Sequence, residues 1–294
     1  MNAPLLARTL SALLLAPPLL FMLLFGSTFH LFLLLVPVAT VLIYEWYRMR
    51  EPFVWRRFIP LTFGVWSVLW AGMPGMGPAV QTAPPGMVPV GGLPVFVVST
   101  LLLLIFFSEG LLRHRPGMTV LDDVGWRFLG VLYCALPLVL LLEIHRAERG
   151  GWLICFLLLT IWATDVGAYF VGRRWGSRKL APHISPGKTV AGFWGGMALA
   201  SVVGGVMAHV VSLPYSWGEA ILLAALLSVV GQLGDLAESL LKREAGVKDS
   251  GQLIPGHGGM LDRLDSLLFA TPVYYLFLWS TTLVPAKGLV TLVG

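Results

Sequence analysis

The chain has 294 residues, of which 57% are hydrophobic and 12% charged, with a net charge of +5 and a mean hydropathy of +0.82. A soluble domain carries about 25% charged residues, so this composition excludes a water-soluble globule, a disordered chain and a low-complexity repeat, and points to an integral membrane protein. The two cysteines, Cys134 and Cys155, both lie in apolar runs, which leaves neither a disulfide framework nor a zinc site.

A spanning helix needs about 20 mostly apolar residues. No Asp, Glu, Lys or Arg occurs from Thr9 to Tyr44, which is room for two helices broken at Gly26-Ser27-Thr28. Further spans are predicted over 58–73, 93–107, 128–142, 152–171, 190–212, 217–241 and 264–284. The expected fold is an all-α integral membrane protein, a polytopic helical bundle of about nine transmembrane helices. Residues 1–150 form the amino-terminal helices, about five spans, and residues 151–294 the carboxyl-terminal helices. The first span is not read as a cleaved signal peptide, because no polar mature region or small-residue cleavage site follows it.

The basic residues orient the bundle. With the amino terminus in the cytoplasm, 17 of the 20 Lys and Arg residues fall on the cytoplasmic side, leaving Arg146, Arg149 and Lys287 on the other. The positive charge is therefore topogenic, and no nucleic-acid partner is expected. The uncharged Gly- and Pro-rich stretch 72–94 and the carboxyl terminus fall outside. No long hydrophilic amino-terminal extension is read in the chain, which favours a bacterial inner membrane, and the charge count would turn an active site on the basic side toward the cytoplasm.

The first half promises little chemistry. Glu45, Glu51, Asp122 and Asp123 sit among basic loop residues and read as solvated interface charges, and His30, His114, His145 and His209 as isolated polar residues. The second half differs. Asp165 interrupts the span 152–171, and a carboxylate in a span costs a few kcal/mol unless it faces a cavity or a partner. Asp235, Glu238, Ser239 and Lys242 follow i, i+3, i+4, i+7 spacing and share one helix face. Two acids, a hydroxyl and an ammonium so aligned can bind a divalent cation and a phosphate together. The following loop holds Arg243, Lys248, Asp249 and the run Pro255-Gly256-His257-Gly258-Gly259, whose glycines let backbone amides approach an anion. Asp262 and Asp265 then form a second carboxylate pair beside Arg263, and hard oxygen ligands without cysteine favour Mg²⁺.

A third cluster runs from Gly172-Arg173-Arg174 to Ser185-Pro186-Gly187-Lys188-Thr189. Its Gly-Lys-Thr is not a nucleotide-hydrolase phosphate loop, because Pro182 stands where that motif needs glycine; Lys188 and Thr189 remain phosphate ligands. Gly192, Gly196, Ala200 and Gly204 recur every four residues, the pattern of close helix packing.

The run Ser239-Leu240-Leu241-Lys242-Arg243, then Lys248-Asp249, then Pro255 to Asp265, resembles the signature of the phosphatidate cytidylyltransferases, the CDP-diacylglycerol synthases. The stretch Asp165 to Arg173 and the block Ser185 to Thr189 are similar to a second conserved block of that family. Ala191 departs from it, standing where many members carry Glu or Gln. The resemblance implies transfer of a cytidylyl group from CTP to phosphatidic acid among membrane lipids, with Mg²⁺, a second cation such as K⁺, and a homodimer as further expectations. By position in the motif it assigns Asp235, Asp262 and Asp265 to the metal, with Glu238 in support, and makes Lys242 catalytic beside them. Arg173, Ser185, Lys188, Thr189, Glu238, Ser239, Arg243, Lys248, Asp249, His257, Gly258, Gly259 and Arg263 are the expected substrate-binding residues. A CTP-dependent lipid kinase and an ion-coupled transporter are the competing readings. A CDP-alcohol phosphotransferase would need a differently spaced set of aspartates that the chain lacks.

Overall fold

Backbone in an apolar medium has to satisfy its own N–H and C=O groups within the segment, which turns long apolar runs into helices. The computed structural model describes residues 17–50, 54–71, 92–112, 119–251 and 258–283. Residues 17–25 belong to α1. There follow α2 (Thr28–Arg50), α3 (Trp55–Ala71), α4 (Gly92–Leu112), α5 (Val120–Arg146) and α6 (Gly150–Trp175). A hairpin of β1 (Lys179–Ala181) and β2 (Ser185–Thr189) precedes α7 (Val190–Val210), α8 (Trp217–Glu244) and α9 (Leu261–Leu283).

Five of these helices, α2, α5, α6, α7 and α8, are long and apolar enough to cross a membrane, and α3 and α4 contain shorter apolar helices. Outward faces carry large apolar side chains such as Phe63, Leu104, Trp162, Phe170, Val202 and Leu222, all exposed. In water that surface would be a severe cost; against lipid it is none. The protein is a helical integral membrane protein. The helix expected over 264–284 forms, but α9 is not among the five. Asp262 and Arg263 stand in its first turn with Asp265 just beyond, and Tyr, Ser and Thr dilute the rest.

The break between α1 and α2 falls at Gly26-Ser27, where Ser27 Oγ meets His30 Nδ1 at 2.7 Å in the first turn of α2. His145 braces the same corner, with Nε2 3.1 Å from the Leu23 carbonyl and Nδ1 3.1 Å from Thr28 Oγ1. The β-hairpin is a departure from the all-helical expectation. Pro182 and Pro186 cannot continue a helix, and the Ala181 carbonyl accepts from Ile184 N at 3.2 Å to close a turn around Pro182 and His183.

In the carboxyl-terminal half α6, α7, α8 and α9 pack on one another, and α5 joins them to α2, α3 and α4. The small-residue stripe does what its spacing suggests. A Cβ at Gly167 would lie 2.6 Å from the Gly195 carbonyl oxygen, and one at Gly196 would lie 2.7 Å from that of Thr164. The backbones of α6 and α7 therefore approach to a distance that only glycine permits.

One expectation for the first half fails here. Asp123 is not a solvated interface charge: it pairs with buried Arg127, whose guanidinium also donates to Glu109 Oε2 at 2.8 Å. The ion group sits where α4 meets α5, so an arginine assigned to topology alone also ties two helices together. Asp122 stays exposed. Glu51 and His114 lie outside the described residues.

Candidate active site

Polar residues of the stretches 165–189 and 235–265 collect where the carboxyl ends of α6 and α8 meet the hairpin and the amino ends of α7 and α9. A cavity of about 460 Å³ opens there, lined among others by Asp165, Arg173, Lys188, Thr189, Gln232 and Asp235. The helices set these positions. Gly172 and Gly192 let α6 and α7 converge on its floor, and Thr189 caps α7 by accepting from Gly192 N at 3.1 Å. The Thr189 oxygen expected on phosphate is thus already engaged with backbone, with its hydroxyl proton left to donate. The uncapped N–H groups of that first turn favour an anion in the cavity.

Lys188 crosses the cavity to Asp235, Nζ to Oδ2 2.7 Å, while Ser239 Oγ donates to Asp235 Oδ1 at 3.4 Å. Asp165 and buried Asp265 both lie within electrostatic reach of Asp235, and Lys188 acts on each. Three carboxylates and one ammonium therefore share a small volume, two acids coming from α6 and α8 and one from α9. Arg173 Nη1 donates to Tyr169 Oη at 2.9 Å beside the same cavity.

Next to it lies a buried ion group. Lys242 Nζ stands 2.6 Å from Glu238 Oε2 and 2.5 Å from Asp262 Oδ1. Glu238 and Lys242 are one turn apart on α8, as their spacing requires. Asp262 also accepts from Gly259 N at 2.9 Å and Ser250 N at 3.2 Å, so it holds the two ends of the loop between α8 and α9. Gly258, with φ +77, makes the left-handed turn that brings Gly259 to it.

The remaining expected residues are more dispersed. Arg243 is turned away from the cavity, donating to the carbonyls of Ile184 and Val247 at 3.3 and 3.1 Å and so pinning α8 to the hairpin turn. Ser185 is at the start of β2, paired with Ala181. Lys248, Asp249 and Arg263 are exposed. His257 lies outside the described residues.

Sequence reasoning missed Glu45. It is 1% exposed, and its carboxylate accepts from Met260 N, Leu261 N and Ser250 Oγ at 2.9, 2.8 and 3.1 Å. Its basic neighbours Arg48 and Arg50 made it look like an interface charge; its partners lie more than 200 residues away, and no local pattern announces them. Asp165 was signalled by its cost in a span, and the cavity explains how that cost is met.

A model of the Cytidylyltransferase family matches residues 6–281. The chain belongs to the cytidylyltransferase family. The similarity extends to proteins named phosphatidate cytidylyltransferase. That of Haemophilus influenzae is 36% identical over 92% of this chain and 97% of its own length. Those of Bacillus subtilis and Brucella suis are both 47% identical, over 53% and 52% of this chain. In these two the matched stretch covers 59% and 57% of the relative, under two thirds of its length. The family match thus includes every element that lines the cavity.

Proposed function

We propose that the protein transfers the cytidylyl group of CTP to phosphatidate, giving CDP-diacylglycerol and pyrophosphate for phospholipid synthesis. The observation that carries this reading is the cavity in which Lys188 meets Asp235, lined from α6, the hairpin, α7 and α8 within the stretch that matches the cytidylyltransferase family. A phosphate monoester oxygen of the lipid attacks the α-phosphorus of CTP, and the bond to pyrophosphate breaks. Phosphatidate is already ionised near neutral pH, so the protein needs no strong general base. It has to hold several negative charges together and in line.

Lys188 supplies positive charge at the centre of the cavity and Arg173 at its rim. The first turn of α7 adds backbone N–H groups. Lys242 would turn from Asp262 toward a substrate phosphate, with buried Glu238 keeping it charged and in place. Arg243, through its grip on the hairpin turn, holds the segment that carries Lys188. Ser185, Ser239, Lys248, Asp249, His257, Gly258, Gly259 and Arg263 complete the substrate-binding set that the family resemblance implies.

The donor set fits Mg²⁺. Among the described residues no three His, Cys, Asp or Glu side chains form a ready-made cluster, and Mg²⁺ characteristically takes one or two carboxylates together with substrate phosphates. Asp235 and Asp265 are the carboxylates that would hold it, with Asp262 joining once Lys242 leaves it. When bound, the ion would neutralise charge on the transferring phosphate. A second cation, K⁺, and a homodimer belong to the same reading.

About nine spans with a cytoplasmic amino terminus would put this end of the bundle in the cytoplasm, where CTP is. The 17-to-3 distribution of basic residues supports that orientation, and the bacterial origin of the named relatives supports a bacterial inner-membrane setting.

The test is to incubate purified protein with phosphatidic acid, Mg²⁺ and CTP labelled in its α-phosphate. Label recovered in CDP-diacylglycerol supports the reading. A lipid kinase would release labelled CDP and move the γ-phosphate to the lipid instead, and a transporter would do neither.

A further inference from the structure

Glu45 is a buried acid in the second helix, and among the described residues three hydrogen-bond partners lie at the far end of the chain. Oε1 accepts from Met260 N, and Oε2 from Leu261 N and Ser250 Oγ. Gly251 and Gly259 make room for it, since a Cβ at either would sit 2.6 Å from a Glu45 oxygen. The carboxylate thus grips both ends of the loop between α8 and α9 and caps the start of α9, where unpaired N–H groups and the helix dipole favour a negative charge. Asp262 grips the same loop from the other side, through Ser250 N and Gly259 N. Ser250 is therefore held by two acids, one from each end of the chain, while Gly259 N goes to Asp262 and the next two amides to Glu45.

A solvated interface charge would need none of these partners. A side chain that merely filled space would need no carboxylate. The geometry points to Glu45 as a positioning residue for cytidylyl transfer: it sets the ends of the α8–α9 loop so that Asp262, Asp265 and Lys242 stand in one arrangement. This rests on the cytidylyltransferase reading above. Glu45 touches no substrate; it acts through Ser250 and the first amides of α9. The amino-terminal helices thereby take part in catalysis as well as in anchoring.

The test uses full-length protein in lipid nanodiscs carrying Glu45→Gln, which keeps the shape but replaces one acceptor oxygen with an NH₂ group facing N–H or O–H donors. Hydrogen exchange at residues 250–251 and 258–261 should quicken by about tenfold or more, with α6 and α7 unchanged. Turnover should fall by about ten- to a hundredfold, while KM for CTP and for phosphatidate stays within about threefold of wild type. Ser250→Ala should slow turnover less, and adding it to Glu45→Gln should cost no more than Glu45→Gln alone, because both act on one contact. If Glu45→Gln does not accumulate as folded protein, Ser250→Ala carries the same two measurements. Wild-type turnover in folded Glu45→Gln, or unchanged exchange at the loop ends, would overturn the proposal. A wild-type protein that makes no CDP-diacylglycerol would instead overturn the reaction, and the exchange measurement, which needs no substrate, would still judge the anchoring.

Discussion

Lys188 Nζ and Asp235 Oδ2, 2.7 Å apart, close the cavity between the hairpin and α8 with an ion pair that both partners leave partly exposed. A half-exposed pair is held by about 1 kcal/mol or less, so an arriving phosphate can draw the ammonium away and free the carboxylate. Loading the substrate and assembling the charged site are then one event. Lys188→Gln and Asp235→Asn should each lower turnover by at least about a hundredfold, as loss of a transition-state charge contact does. Both proteins should still insert and elute as single species. Near-wild-type rates in both, measured at saturating CTP and phosphatidate, would refute this role for the pair.

Lys242 differs in being buried between two acids. Lys242→Ala strands Glu238 and Asp262 without their cation, at a cost of about 3–5 kcal/mol, and should nearly abolish product. Adding Glu238→Gln removes one stranded charge, so the double variant should recover thermal stability without recovering activity. Recovery of both would mean that Lys242 serves the fold alone.

Arg173 and Arg174 are neighbours with different surroundings. Both are exposed, but Arg173 lines the cavity and Arg174 does not. Arg173→Ala should weaken apparent affinity for an anionic substrate by about tenfold, the scale of one charge-assisted hydrogen bond. Arg174→Lys should leave most activity, because a topogenic charge needs only its sign. Separate titrations of CTP and phosphatidate would show which substrate Arg173 meets.

Orientation can be read with single cysteines, since native Cys134 and Cys155 are both buried. Gly251 is a poor site, because its Cβ would meet Glu45. Lys248 and Glu148 are exposed at opposite ends of the bundle. In intact cells Glu148→Cys should react with a membrane-impermeant thiol reagent and Lys248→Cys should not. The reverse pattern would invert the topology and deny cytosolic CTP its site.

Much of this was legible in the sequence because it is local. Apolar run length gave the helices, Gly26-Ser27 the first break, and the Gly192 to Gly204 stripe the α6–α7 approach. The i, i+4 spacing of Glu238 and Lys242 became an ion pair. What escaped depends on distant partners. Asp123 and Glu45 look alike in the chain, each an acid beside arginines, yet one joins Arg127 in an ion group completed by Glu109 of α4 and the other caps α9. The hairpin escaped because two prolines and two glycines say where a helix stops without saying what replaces it. Asp262 was read for its oxygens alone; its hold on Lys242 and two loop amides needed the third dimension.

The Glu45 contact also sets an order of assembly. Its partners at Met260 and Leu261 lie 215 and 216 residues downstream, so α2 leaves the ribosome long before the amides it will cap. Contacts of such long sequence separation form late. The nascent chain must therefore carry Glu45 without these partners in its second helix until α9 has been made and has docked. The loop between α8 and α9 is fixed only when the first and last thirds of the protein meet, and a chain stalled short of α9 sits in the membrane with that loop unheld.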